Sequence, residues 1–286
     1  MPTAAYDLEM PENRTSSVVF ASPHSGRAYP ESFLKRSVLN RNMIRSSEDA
    51  FVDKLFAGVA QTGAPFLKAV MPRAYLDLNR SAEELDPALI QGARRQGHNP
   101  RVASGLGVIP RVVANGRSIY HGKLTMDEAR LRIDNYWRPY HTRLKSLLAE
   151  SYDKFGQAIL IDCHSMPHEA VSIAGRGQSK QPEIVLGDRF GASASGVIVD
   201  QIESAFASAG LNVARNAPFA GAYVTQTYGR PGRYQHAIQI EIDRSLYMDE
   251  ERIQPNDNFE AFCEILNKVV AEIAAIGAPP ARLAAE

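Results

Sequence analysis

The sequence predicts an α/β protein with a central, largely parallel sheet covered by helices on both faces. Short apolar runs alternate with helical patterns along the chain, and residues 158–161 form a continuously apolar run, as a strand buried on both faces would. A length of 286 residues with 44% hydrophobic content suffices for one large core, so a single domain spanning residues 1–286 is expected.

The first strand is predicted at 17–22, a β-favouring run that stops at Pro23, whose missing N–H cannot serve a central ladder; His24 follows directly. A helix is expected from about Glu48, because Val52, Leu55, Phe56 and Val59 fall at i, i+3, i+4 and i+7, with Ser46 or Ser47 as cap and Gly63 as terminator. Two strands are predicted at 65–70 and 74–79, the second delivering Asn79 and Arg80 at its end. Residues 81–117 read as a long loop rich in Gly, Pro, Arg, Asn and Gln, the kind of segment that forms lids or binding loops. A long helix is expected over 128–152 through Ile133, Tyr136, Trp137, Tyr140, Leu144 and Leu147, kinked by Pro139 beside Tyr140 and His141. The strand at 158–161 runs straight into Asp162, Cys163, His164 and Ser165. After a strand at 183–186, a helix runs from about Ser193 to Gly210, then strands are predicted at 223–228 and 237–242, the latter carrying Glu241. Asp257 and Glu260 form a capping box for a last helix with Phe259, Phe262, Leu266, Val269 and Ile273 on one face.

Thirty-two basic residues balance thirty-two acidic ones, so no global field draws the protein to nucleic acid or to an anionic membrane. Cys163 and Cys263 are too few for a disulfide framework and fit a reducing compartment. The first ten residues have neither a basic start nor a signal-peptide core, and no stretch is long and apolar enough to span a bilayer; a cytoplasmic protein is expected.

In open α/β sheets, ligands gather at the carboxyl ends of the strands, and His24, the pair Asn79 and Arg80, and His164 all follow predicted strands. Two histidines and one carboxylate would leave a position open on zinc for hydrolytic water, so His24 and His164 need an acidic companion. Glu48 and Asp49 contend for that place, although acids in the first turn of a helix are also favoured by its dipole, and spacing alone does not choose between them. His164 and His168 mimic a helical His-x-x-x-His motif, but Pro167 opposes a helix, and His168 is left out of the metal site.

Pro23-His24-Ser25-Gly26, Tyr29-Pro30, Asp49 with Val52-Asp53-Lys54-Leu55, Asp77-Leu78-Asn79-Arg80, Pro139-Tyr140-His141 and Asp162-Cys163-His164-Ser165 occur in that order, followed by Asn216-Ala217-Pro218-Phe219, Gly221 with Tyr223, Gln239-Ile240-Glu241-Ile242 and Leu246-Tyr247-Met248-Asp249. In these motifs the chain resembles the N-formylglutamate amidohydrolase family over nearly its whole length. The resemblance implies a mixed, mostly parallel phosphorylase/hydrolase-like sheet, similar to zinc carboxypeptidases and aspartoacylases. It also implies one Zn2+ per chain, or another divalent metal, and a small acyl amino acid as substrate. By the same resemblance Asp49 fits the acidic ligand better than Glu48, Asn79 and Arg80 hold the substrate carboxylate, and Glu241 is the general base. Arg73 would stabilise the oxyanion, a role that competes with a plain salt bridge, and His141 would hydrogen-bond substrate or a metal ligand unless it merely packs. The chain departs from carboxypeptidases at Arg27, where they carry an acid three residues after the first histidine. A glutamate-like substrate needs a second cation, for which Arg230, Arg233 and an arginine of the long loop all qualify. The expected activity is hydrolysis of N-formyl-L-glutamate to formate and glutamate, in histidine catabolism by resemblance. The alternatives are hydrolysis of another N-acyl amino acid or small amide on the same fold, a non-catalytic metal-dependent binding protein, or strand ends that merely form ion pairs.

Overall fold

The computed structural model describes residues 4–94, 97, 99–174 and 181–279. Among these, seven strands form one sheet in the order β1-β3-β2-β4-β7-β5-β6. The strands are β1 (Tyr6–Glu9), β2 (Val18–Ser22), β3 (Phe66–Ala69), β4 (Ala158–Met166), β5 (Ile184–Gly187), β6 (Val213–Arg215) and β7 (Gln235–Asp243). The middle four, β3, β2, β4 and β7, run parallel, whereas β1 opposes β3 and the β5–β6 pair opposes β7. The sheet is therefore mixed and mostly parallel. Burial follows position: β2 and β4 are buried throughout, while the edge strands β1 and β6 are only partly covered.

The helices are α1 (Glu31–Arg36), α2 (Val52–Leu55), α3 (Pro100–Ala103), α4 (Met126–Arg132), α5 (Arg138–Phe155), α6 (His168–Ala174), α7 (Gly196–Ser208), α8 (Tyr223–Tyr228) and α9 (Phe259–Ile276). None of the described helices is long and apolar enough to cross a membrane. Strand alternation sorts the core into two layers. One face of the sheet presents Val18, Phe20, Ile159, Ile161, Ile238 and Ile240 to α2, α7 and α9. The other presents Val19, Ala21, Leu67, Leu160 and Ala237 to α4 and α5. Truncating one such fully buried residue, Ile161→Ala, would cost about 2–5 kcal/mol. On the second face the apolar series stops partway: beyond Leu160 and Ala237 the same parity brings Asp162 and His164 on β4, and Gln239 and Glu241 on β7. That change of character at the carboxyl ends of adjacent parallel strands is where the site lies.

Several expected elements differ. Residues 74–79 form turns, not a strand: Tyr75 and Leu76 N–H donate to the Pro72 carbonyl, and Asp77 N–H to that of Val108. Both edges of β3 are already occupied by β1 and β2, so no ladder is open to a further strand. Residues 223–228 are α8, with Gln226 and Gly229 N–H donating to Ala222 and Thr225, so tertiary placement overrides the β-favouring composition. The helix expected from Glu48 begins only at Val52, because Phe51 takes a left-handed φ of 67°, and neither Ser46 nor Ser47 caps it. The capping box is absent as well, since α9 starts at Phe259 behind Asn258 without a side-chain cap bond. The long helix is interrupted by a π-helical turn at Ile133–Trp137, one step before Pro139, which then sits in the first turn of α5, where its missing N–H costs little.

Candidate metal centre

His24 leaves the end of β2 in a turn packed against the exit of β3. Gly26 is required there: a Cβ at that position would lie 2.2 Å from the Met71 carbonyl oxygen. The His24 Nε2 lies 2.7 Å from Asp77 Oδ1, both groups being buried, and its Nδ1 has no hydrogen-bond partner. His164, on β4, mirrors this arrangement, with Nε2 3.0 Å from Asp162 Oδ2. Each imidazole is backed at Nε2 by its own carboxylate, and the two Nδ1 atoms face Asp49 Oδ2, at 3.4 Å from His24 and 2.8 Å from His164. One atom each of His24, Asp49 and His164 lies within 4.8 Å of the others, with all three residues buried.

The electrostatics suit a cation. Burial opposes ionisation of Asp49, but the contact with His164 and the nearby His24 imidazole prevail and hold its carboxyl well below the usual range. Burial likewise disfavours a charged His164, yet Asp162 and Asp49 outweigh it and raise the imidazole pKa well above its ordinary value. A divalent ion held by His24, Asp49 and His164 would require a neutral His164 imidazole, so its binding would release a proton. An unpartnered buried imidazole nitrogen, a second imidazole and a carboxylate form a donor set that fits a divalent metal, each histidine being backed by its own aspartate.

Asp49 is steered into place by Arg244, whose Nη2 lies 3.1 Å from Asp49 Oδ1 while its Nε donates to Ser165 Oγ. The neighbouring Glu48 faces elsewhere, taken up by Arg45 at 3.0 Å and by the Tyr29 hydroxyl at 2.5 Å. Because this stretch is not helical, the two acids part completely. His168 lies outside the cluster, paired with Asp243 at 2.8 Å, and Arg27 makes an exposed bidentate pair with Asp53.

The cluster forms the floor of a cleft of about 610 Å³. Glu241 enters it from β7, directly opposite His164 in the ladder, so both side chains emerge on the same face. Burial, reinforced by Asp49 and opposed by His164 and Arg73, pushes the Glu241 carboxyl up to about 7. Gln239 Nε2 donates to Glu241 Oε1 at 2.7 Å, and its own buried Oε1 has no partner. Arg73, a quarter exposed, lines the cleft and pairs with Asp77 at 3.0 Å. Arg80 lines it too, with Nε on the Leu106 carbonyl and Nη1 on its own neighbour's carbonyl.

Asn79 reaches the cleft, but its amide is committed on both sides: Nδ2 donates to Asp162 at 3.3 Å and Oδ1 accepts from Val224 N–H at 2.8 Å. It ties the 77–80 turn to β4 and α8. His141 lies outside the cleft, behind that turn. Burial lowers its pKa to about 4, so the ring is neutral, its Nε2–H donating to the Leu78 carbonyl and its Nδ1 accepting from the Tyr228 hydroxyl. Arg230 and Arg233 are exposed at the opposite end of β7 from Glu241. The long loop instead brings Arg101 to the cleft. Arg244, Gln239 and the backing roles of Asp77 and Asp162 escaped sequence reasoning, although Arg244 follows the end of β7 as His24 follows that of β2.

The family model for N-formylglutamate amidohydrolase matches residues 16–248. An N-formylglutamate deformylase of Pseudomonas putida is 27% identical over 236 residues, 82% of each chain, and one of Pseudomonas aeruginosa is 30% identical over 206 residues, 71% of each. The crystal structure of N-formylglutamate amidohydrolase from Ralstonia eutropha JMP134 superposes with a TM-score of 0.89 at 33% identity, covering 96% of this chain and 99% of that one. The matched span holds the whole converging cluster, together with Glu241 and Arg244, and on that extent of likeness the chain belongs to the N-formylglutamate amidohydrolase family.

Proposed function

We propose that this protein hydrolyses N-formyl-L-glutamate to formate and L-glutamate, with one zinc ion held by His24, Asp49 and His164. The observation that carries the reading is the convergence of two Nδ1 atoms, one left without a partner, on a single carboxylate oxygen, beside a buried carboxyl with its pKa near 7. Two imidazoles and a carboxylate suit zinc, and also accept manganese, iron or cobalt. A metal held there would supply Lewis acidity, polarising the formyl carbonyl and acidifying a water. Glu241 takes a proton from the attacking water and passes it to the nitrogen as the C–N bond breaks, giving an amine and formic acid; the acid's proton then passes to the amine, so the products leave as formate and an ammonium. Its raised pKa suits both halves of that transfer near neutral pH. Gln239 fixes the orientation of the Glu241 carboxylate through the 2.7 Å bond. Arg73 faces the developing oxyanion, and Arg80 grips the α-carboxylate with the N–H groups its carbonyl partners leave over. Asn79 positions Asp162 and, through it, His164.

The test is formate release by purified protein whose metal content is measured in the same preparation, with Glu241→Gln alongside. Metal-dependent release that falls by several orders of magnitude in the variant is expected. A metal-loaded protein inert toward N-formyl-L-glutamate but active on another acyl amino acid would replace the substrate, and one inert on a whole panel would leave a binding protein.

A further inference from the structure

Four guanidinium groups line the cleft, and they are not equivalent. Arg73 is neutralised by Asp77 and Arg244 by Asp49. Arg80 and Arg101 make no ion pair among the described residues, and Arg80 is only 6% exposed, with carbonyl oxygens as its hydrogen-bond partners. A buried cation without a counter-ion is costly, and a second cation beside it adds repulsion. Burial lowers the Arg80 pKa; Asp77 counteracts this, while Arg73 and Arg101 push further in the same direction.

The two are mechanically linked. Arg80 Nε donates to the Leu106 carbonyl at 2.9 Å, and Leu106 N–H donates to the Arg101 carbonyl at 2.8 Å. The loop that presents Arg101 is stapled by Arg111, whose Nε reaches Asp86 at 2.9 Å, and by Asn99, whose side chain accepts the Arg101 N–H at 3.0 Å. One cation without a carboxylate in contact is therefore deep, the other sits on an exposed rim, and a braced loop holds them in register.

We infer that Arg101 is the specificity residue of this cleft, binding the side-chain carboxylate of an acidic N-acyl amino acid whose α-carboxylate rests on Arg80. This deepens the proposed function and rests on it. A dianion with its charges a few carbons apart compensates both guanidinium groups at once, whereas an acyl amino acid with an uncharged side chain leaves Arg101 unmatched. Arg230 and Arg233, at the far end of β7, do not enter.

The experiment compares kcat/KM for N-formyl-L-glutamate and for N-formyl-L-norvaline, which keeps the chain length and lacks the charge, in metal-loaded wild type, Arg101→Met and Arg101→Lys. A charge-assisted hydrogen bond at a partly exposed position predicts a wild-type preference for the dianion of roughly ten- to hundredfold, carried mainly by KM and shrinking with added salt. Arg101→Met should bring the ratio to within about threefold of unity, with Arg101→Lys recovering part of it. An undiminished ratio in Arg101→Met overturns the inference. If the wild type turns over neither substrate, the proposed function is what fails, and Arg101 is then judged by calorimetric binding of glutarate against butyrate. Glutarate affinity falling roughly tenfold in Arg101→Met supports the inference, and unchanged affinity overturns it.

Discussion

Glu241 makes a measurable demand on stability before any substrate is present. Below its ordinary value of 4.5 the carboxyl is protonated in both the folded and unfolded chain; between 4.5 and about 7 the unfolded chain ionises while the folded one does not. A folded-state pKa raised in this way removes stability as pH climbs through that window, and the full penalty is present above about 7. At about 1.4 kcal/mol per pKa unit, the difference amounts to roughly 3 kcal/mol. An amide at this position never ionises, and it can still accept the hydrogen bond from Gln239. Glu241→Gln should therefore stabilise the metal-free protein by roughly 3 kcal/mol at about pH 8.5, and by about 1 kcal/mol or less near pH 5. For 286 residues the unfolding entropy is on the order of 0.6 kcal/mol per kelvin, so the melting temperature should rise by about 5 °C at the higher pH. Calorimetry of chelator-treated wild type and variant at the two pH values decides. An equal shift at both, or a loss at high pH, would refute the claim that burial holds this carboxyl protonated.

Asp162→Asn keeps the shape behind His164 but weakens the bond that orients it, so metal affinity in a competition titration with a chromophoric chelator should fall roughly ten- to hundredfold; unchanged affinity would deny Asp162 that role. Arg244→Met frees Asp49 Oδ1 from its 3.1 Å contact, and metal affinity should fall with partial recovery in Arg244→Lys; equal losses in both would mean that packing, not charge, is at stake. Gly26→Ala forces a methyl group against the Met71 carbonyl, and urea unfolding should show a loss of roughly 1–3 kcal/mol; a neutral result would show that the turn yields freely.

What the sequence revealed divides along physical lines. The central strands were readable because burial on both faces leaves only aliphatic residues, as at 158–161, and the helices because their apolar stripes recur at 3.6 residues. The misread segments are those whose structure depends on distant partners. Residues 223–228 look like a strand until the Asn79 side chain takes the Val224 N–H, and 74–79 look like one until β1 and β2 occupy both edges of β3. At the cleft, His24, His164 and Glu241 announced themselves as polar residues at the ends of apolar runs. Spacing alone could not separate Asp49 from Glu48, and only the family resemblance favoured Asp49; what parts them is contact with other side chains, Arg45 and Tyr29 on Glu48 and Arg244 on Asp49. Arg101 was one arginine among many in a loop whose path no periodicity encodes.

The two-layered sheet has a further consequence for how the chain finds its alignment. Pairing β4 and β7 one residue out of step would turn Asp162 and His164, or Gln239 and Glu241, into the aliphatic layer beneath α7 and α9, at several kcal/mol for each stranded ionisable group. Ile161, Cys163 and Ile240 would in turn surface in a polar cleft. The groups proposed to do the chemistry thus also serve as the ruler against which the strands are set, so replacing them with aliphatic residues would remove activity and, with it, a guard against misalignment during folding. A variant carrying aliphatic side chains at positions 162, 164 and 241 should refold with more misassembled product than wild type, and indistinguishable refolding yields would show that the ruler is not needed.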